Sequence, residues 1–170
     1  MKILKKNTIP KNVKTHTSSN KIYNTFILPG KKDDDFEKMV NEIAQTFETN
    51  FGIKTNVYTA SKKIENLNKK AKTHLIRILQ ESLSNISRHS NASQVEIKII
   101  DGIDDFSFII CDNGQGFDVK EVEQKNKTDS VKHFGLGNIK KRVNIIGGTV
   151  DFINKGGLTI AIKIKDSVYR

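Results

Sequence analysis

The run DFSFIIC, residues 105–111, constrains the fold more than any other stretch of this chain. It is dense in β-formers, and Phe106, Phe108 and Ile110 alternate onto one face, so the chain needs a strand with one covered side. The acid Asp112 follows, then Asn113 and two glycines one residue apart, Gly114 and Gly116. A tight turn accounts for the glycines, because Asn-Gly is a common hairpin dipeptide. It leaves unexplained why an apolar strand should end on an acid.

Around this strand the periodicity alternates between helical and extended. DDDFEKMVNEIAQTFETNFG starts on acids, spaces Phe36, Met39, Val40, Ile43 and Phe47 as a helix does, and closes on Gly52. IKTNVYT then alternates as a short strand. A long helix is expected from near Leu67 to Ser90, with Leu75, Ile78, Leu79, Leu83 and Ile86 as its apolar stripe. Two β-like runs, QVEIKII and DFSFIIC, are joined by DGID. Residues 118–134 are polar and read as a mobile loop. A further helix is expected from near Gly137 to Gly147-Gly148, before a hairpin of TVDFI and LTIAIKI separated by NKGG. The strands outnumber the crossovers, so the fold class is an α/β (α+β) two-layer sandwich: a mixed sheet with its helices on one face.

Charge and cysteine usage narrow the class. At 170 residues the chain fits one domain. Its net charge of +10 is uneven: residues 1–32 hold eight lysines and no acid, whereas the remainder carries 21 basic and 19 acidic side chains. The surplus therefore belongs to a loose basic leader, and no nucleic-acid binding is expected of the folded part. The chain has no long apolar run and no apolar signal core at its start, so neither membrane contact nor export is expected. The lone cysteine, Cys111, fits a reducing cytoplasm and reads as a buried thiol.

The long helix carries RILQESLSNISRHS, in which Glu81 and Asn85 stand four residues apart and so point the same way. Arg88 falls in the same arc and His89 on its edge. An acid, an amide oxygen and two cationic groups suit a magnesium phosphate, since Mg2+ takes oxygen ligands and keeps waters. Arg77, Glu81 and Arg88 equally suit spaced ion pairs on a wet helix face. A second glycine-rich stretch, HFGLGNIKKRV, brings Gly135, Leu136 and Gly137 to a helix start, where free N–H groups attract anions. It is no P-loop, and Lys140 stands where a Rossmann fingerprint needs its third glycine. Nor is DNGQGF a calcium loop, because Phe117 takes the position that needs glycine.

Taken together, E-x-x-x-N on a helix, D-x-G-x-G after a strand and G-x-G at a helix start resemble the GHKL ATP-binding superfamily, which includes DNA gyrase, MutL and the sensor histidine kinases. RILQESLSNISRHS, NASQVEIKI and GLGNIKKRVNIIGGTVDF are most similar to the sensor kinases of the NarL-partner type. The resemblance implies a catalytic domain over residues 33–170 with a lid at about 118–134, and ATP and Mg2+ as cofactors. It makes Asp112 the adenine reader, Asn85 the magnesium ligand and Glu81 the catalytic acid one turn before it. It assigns Arg88 and His89 to the nucleotide site, Gly114 and Gly116 to close backbone approach, and Gly135, Leu136 and Gly137 to the phosphate end of the lid. The partners it implies are a histidine-containing dimerisation domain and a response regulator.

Three features depart from the family pattern. None of His16, His74, His89 or His133 has the His-Asp surroundings of a phospho-acceptor, so the acceptor must come from another domain or chain. His133 stands where many relatives have a lid glycine, and Leu158 replaces a threonine whose hydroxyl serves the adenine side. A GHKL serine/threonine kinase of the anti-sigma regulator type, and a nucleotide-gated module without phosphotransfer, are the competing readings.

Overall fold

The computed structural model describes residues 35–116 and 134–165. The basic leader, Phe117, His133 and almost all of the expected lid lie outside the described residues. The first helix, α1 (Phe36–Phe51), starts at Asp35, whose carboxylate accepts the Lys38 N–H at 3.0 Å. It ends at Gly52, whose φ of 67° lets its N–H reach the Glu48 carbonyl at 2.8 Å. Strand β1 (Lys54–Ala60) and a 3-10 turn (Lys63–Asn66) lead into α2 (Lys69–His89). Leu67 stays buried but outside α2, because Asn68 caps that helix by accepting the Ala71 N–H at 2.9 Å.

Strands β2 (Gln94–Asp101) and β3 (Asp105–Asp112) form a hairpin, and α3 (Phe134–Ile145) precedes the hairpin of β4 (Thr149–Asn154) and β5 (Leu158–Lys165). The sheet order is β1-β2-β3-β5-β4, with β1 and β2 parallel and the other pairs antiparallel, which is the expected mixed sheet. Its inner face presents Val95, Ile97 and Ile99, then Phe106, Phe108 and Ile110, then Ile160, Ile162 and Ile164, all fully or almost fully buried. The helices cover that face with Phe36, Val40, Ile43, Phe47, Leu75, Ile78, Leu79, Leu83 and Ile86. The edge of Phe36 meets the ring of Phe108 at 6.1 Å between centroids.

Two expectations need correction. Cys111 is half-buried and not a core thiol, because alternation turns Ser107, Ile109 and Cys111 to the sheet's uncovered face. Helix α3 begins at Phe134, so Gly135 and Gly137 lie within its first turn instead of before it. Glycine weakens a helix interior, but the first turn has no complete hydrogen-bond ladder to lose.

Candidate functional site

Asp112 continues the buried face of Phe106, Phe108 and Ile110, and only 3% of it is exposed. Its Oδ1 accepts the Gly114 N–H at 2.8 Å. Its Oδ2 is also buried and has no hydrogen-bond partner among the described residues. Burial raises its pKa above the usual carboxylate range, while the backbone N–H groups of Gly114 and Leu158 oppose that rise. A strand therefore ends on an acid to hold one unused, desolvated acceptor at the edge of the core.

The loop after Asp112 is fastened on two sides. Asn113 accepts the N–H groups of Ser93 and Gln94 at 3.0 and 2.9 Å, and its amide donates to Ser93 Oγ at 2.9 Å, which pins the end of β3 to the start of β2. Gln115 donates its backbone N–H to the Ser90 carbonyl at 2.8 Å and its side-chain amide to the His89 carbonyl at 2.9 Å. Those carbonyls sit at the end of α2, which lacks helical donors for them. Sequence reasoning missed both residues: Asn113 passed as a turn former and Gln115 as a spacer.

Gly114 is required by this fastening. A Cβ there would run into the Ser90 carbonyl and would lie 2.8 Å from Asp112 Oδ1. The close approach that the structure shows is thus to the end of α2. Gly116 has a φ of 63° and stands against the Asn154 side chain.

On α2, Glu81 and Asn85 are both half-buried, and the first turn of α3 lies directly over them. A Cβ on Gly135 would fall 2.8 Å from Asn85 Nδ2 and 2.9 Å from Glu81 Oε1. The structure therefore brings Glu81, Asn85 and Gly135 together. Leu136 packs partly against the core, while Gly137 is exposed with open space around it. Arg88 folds back onto its own helix, donating from Nε to the Ser84 carbonyl at 3.0 Å and from Nη2 to Ser84 Oγ at 2.9 Å. The same Nη2 stands 3.5 Å from Asn85 Oδ1. Arg77 bonds Gln80 at 3.2 Å, so these hydrogen bonds of the two arginines do not follow the ion-pair alternative. His89 is exposed, and its carbonyl anchors the loop.

Leu158 is buried, and its backbone N–H works against the rise in the Asp112 pKa. The hydroxyl one residue on, Thr159 Oγ1, lies 3.1 Å from Cys111 Sγ on the other side of the sheet. Successive strand residues face opposite ways, so Thr159 cannot supply the hydroxyl that Leu158 lacks.

The family of histidine kinase-, DNA gyrase B- and HSP90-like ATPases matches residues 70–168, and the chain belongs to that family. It carries the ATP-binding catalytic domain of the sensor histidine kinase type. The signal transduction histidine-protein kinase/phosphatase DegS of Bacillus subtilis is 38% identical over 91 residues, which cover 54% of this chain and 23% of that protein. DegS of Brevibacillus brevis is 33% identical over 127 residues, 74% of this chain and 31% of that protein. The chain thus spans between about a quarter and a third of the length of these relatives. Among solved structures, the nucleotide-free catalytic domain of histidine kinase ThkA superposes with a TM-score of 0.61 at 14% identity, covering 78% of this chain and 90% of that one. That likeness is one of fold.

Proposed function

We propose that this chain binds ATP with Mg2+ and transfers the γ-phosphate to a histidine supplied by another domain or chain, within a two-component system that ends in a response regulator. The observation that carries this reading is the unpartnered Oδ2 of Asp112. The exocyclic amine of adenine is a donor, whereas guanine presents an acceptor at the corresponding position, so a buried carboxylate oxygen selects adenine.

The phosphate end of the site follows from α2 and α3. Among the described residues no group of three or more His, Cys, Asp or Glu side chains could hold a metal. A cation here would take the Asn85 amide oxygen and complete its shell with nucleotide oxygens and water, a donor set that suits Mg2+. Bound there, Mg2+ would neutralise phosphate charge. The first turn of α3 lies against Glu81 and Asn85, and its free N–H groups suit phosphate oxygens. Glu81, one turn from Asn85, holds or removes a proton at the attacking nucleophile. Catalysis by these residues is positioning and charge neutralisation. Among the described residues no helix is long and apolar enough to cross a membrane, and we assign the domain to the cytoplasm, where ATP is available.

The test has two stages. Calorimetric titration with MgATP and MgGTP should give clear preference for the adenine nucleotide, and equal affinities would sink the Asp112 assignment. Incubation with labelled ATP should then label a separate histidine-containing dimerisation domain in an acid-labile, base-stable form. Acid-stable label on a protein would favour the serine/threonine kinase, and tight ATP binding with no transfer would favour the gated module.

A further inference from the structure

Helix α2 and its C-terminal cap bury three serines, Ser82, Ser84 and Ser90. Ser82 and Ser90 donate their hydroxyls to the carbonyls four residues back, Ile78 at 2.8 Å and Ile86 at 3.1 Å, which is the ordinary use of a serine on a helix. Ser84 differs from both. Its Oγ accepts from Nη2 of Arg88 at 2.9 Å, and its carbonyl accepts from Nε of the same side chain at 3.0 Å. A residue only 3% exposed thus holds an exposed guanidinium by two acceptors.

Arg88 lies about 40° around the helix from Ser84 and about 60° from Asn85, and helical side chains lean toward the N-terminus, so its guanidinium can reach either residue. The distances show which one it takes. Both short bonds go to Ser84, and Nη2 stands 3.5 Å from Asn85 Oδ1, beyond the usual length of a hydrogen bond. The guanidinium therefore sits beside the Asn85 oxygen without closing on it. That oxygen is the one a Mg2+ ion would take, and an arginine bonded to it would compete as one cation with another. Nη1 makes no hydrogen bond among the described residues, which leaves it for an oxygen of the nucleotide phosphates.

We propose that Ser84 is a positioning residue for the phosphate end of the site. It parks Arg88 beside Asn85, keeps the Asn85 oxygen open to the metal, and sets the guanidinium where a phosphate oxygen arrives. The inference rests on the reading of Asn85 as the Mg2+ ligand. A purely structural serine would behave otherwise. Alanine is the better helix former, and a tether on an exposed arginine adds little to stability, so its loss would be silent in metal binding. As a positioning residue Ser84 acts through Arg88 alone, and substitutions of the two must be non-additive.

The experiment uses the full chain. In the empty protein, with isotope-labelled arginine, the Nε–H resonance of Arg88 is assigned by its disappearance in Arg88→Met. It should shift and exchange faster with water in Ser84→Ala, whereas Ser84→Thr, which keeps the hydroxyl, should leave it in place. Calorimetric titration with ATP at stepped Mg2+ concentrations then reads the consequence. The Mg2+ needed for half-maximal binding should rise at least about threefold in Ser84→Ala, because the released guanidinium swings onto Asn85 Oδ1 and the metal must displace it. ATP binding without the cation should change by less than about twofold, and Ser84→Thr should restore the parent Mg2+ requirement. In an Arg88→Met background, Ser84→Ala should add nothing. A Mg2+ requirement that Ser84→Ala leaves unchanged overturns the proposal, and so does an equal rise with and without Arg88. An Arg88 resonance that responds to Ser84 in a chain that binds no nucleotide would uphold the parking by Ser84 and bring down the nucleotide reading instead.

Discussion

Replacing Asp112 by asparagine should stabilise the empty domain and cripple nucleotide binding at once. The carboxylate is 3% exposed, and its Oδ2 has no partner among the described residues. A buried polar atom without a partner costs about 1–3 kcal/mol, and a charged one costs more, so a neutral amide of the same shape recovers roughly 1 kcal/mol. For a domain of this size that is an increase of about 3–5 °C in melting temperature. The sign with pH follows from the raised pKa of Asp112. Protonated Asp112 fits its dry site, so its contribution to stability is complete below the unfolded value and is lost as pH rises through the folded one. The advantage of the variant should therefore be largest near neutrality and shrink in acid. Binding moves the other way. If the new side chain keeps its amide oxygen on the Gly114 N–H, its NH2 group meets the adenine amine, donor against donor. Flipped, the NH2 group meets the Gly114 N–H instead. Losing a charge-assisted bond of about 1.5–3 kcal/mol weakens MgATP binding about ten- to a hundredfold. Thermal unfolding without nucleotide and calorimetry with MgATP and MgGTP read the two effects. A variant that is less stable than the parent, or that binds MgATP within about threefold of it, refutes the reasoning.

Asn85→Ala should remove most of the magnesium dependence of ATP binding, measured by titration with and without the cation, because it deletes the amide oxygen beside Glu81. Glu81→Gln should keep nucleotide affinity while slowing transfer to a histidine acceptor, and unfolding at ordinary temperature would instead mark Glu81 as structural. Gly135→Ala gains helix propensity of about 1 kcal/mol but places a methyl 2.8–2.9 Å from Asn85 and Glu81. Its melting temperature should hold while transfer falls at least about tenfold, a result that single-turnover kinetics would check. Gly114→Ala forces a Cβ into the Ser90 carbonyl and should destabilise by about 2 kcal/mol even without nucleotide, as seen in denaturant unfolding.

Periodicity made the layers legible. Alternation in DFSFIIC and LTIAIKI foretold which strand faces are buried, and the 3.6-residue stripe of α2 foretold its core side. The same alternation, followed one residue further, also places Asp112 on the inward face. For Cys111 the apolar neighbours suggest burial, but its parity assigns it to the uncovered face. Glycines read as helix boundaries, which puts the expected start of α3 too late, whereas Gly135 lies in the first turn and brings α3 against Glu81 and Asn85.

What pattern could not convey is how the two ends of the site are kept in register. Asp112 belongs to the sheet, and Glu81 with Asn85 belongs to α2. A nucleotide that spans them needs the sheet and the helix held at a fixed offset, since misplacement of about 1 Å costs catalysis dearly. Gln115 provides that tie through the Ser90 and His89 carbonyls, and Gly114 makes room for it. Both contacts are made to backbone carbonyls that every sequence possesses, so nothing in the spacing of Gly114 and Gln115 announces them. Gly114 of DNGQG thus serves α2 in the empty domain, and its presence there is compatible with nucleotide binding without requiring it.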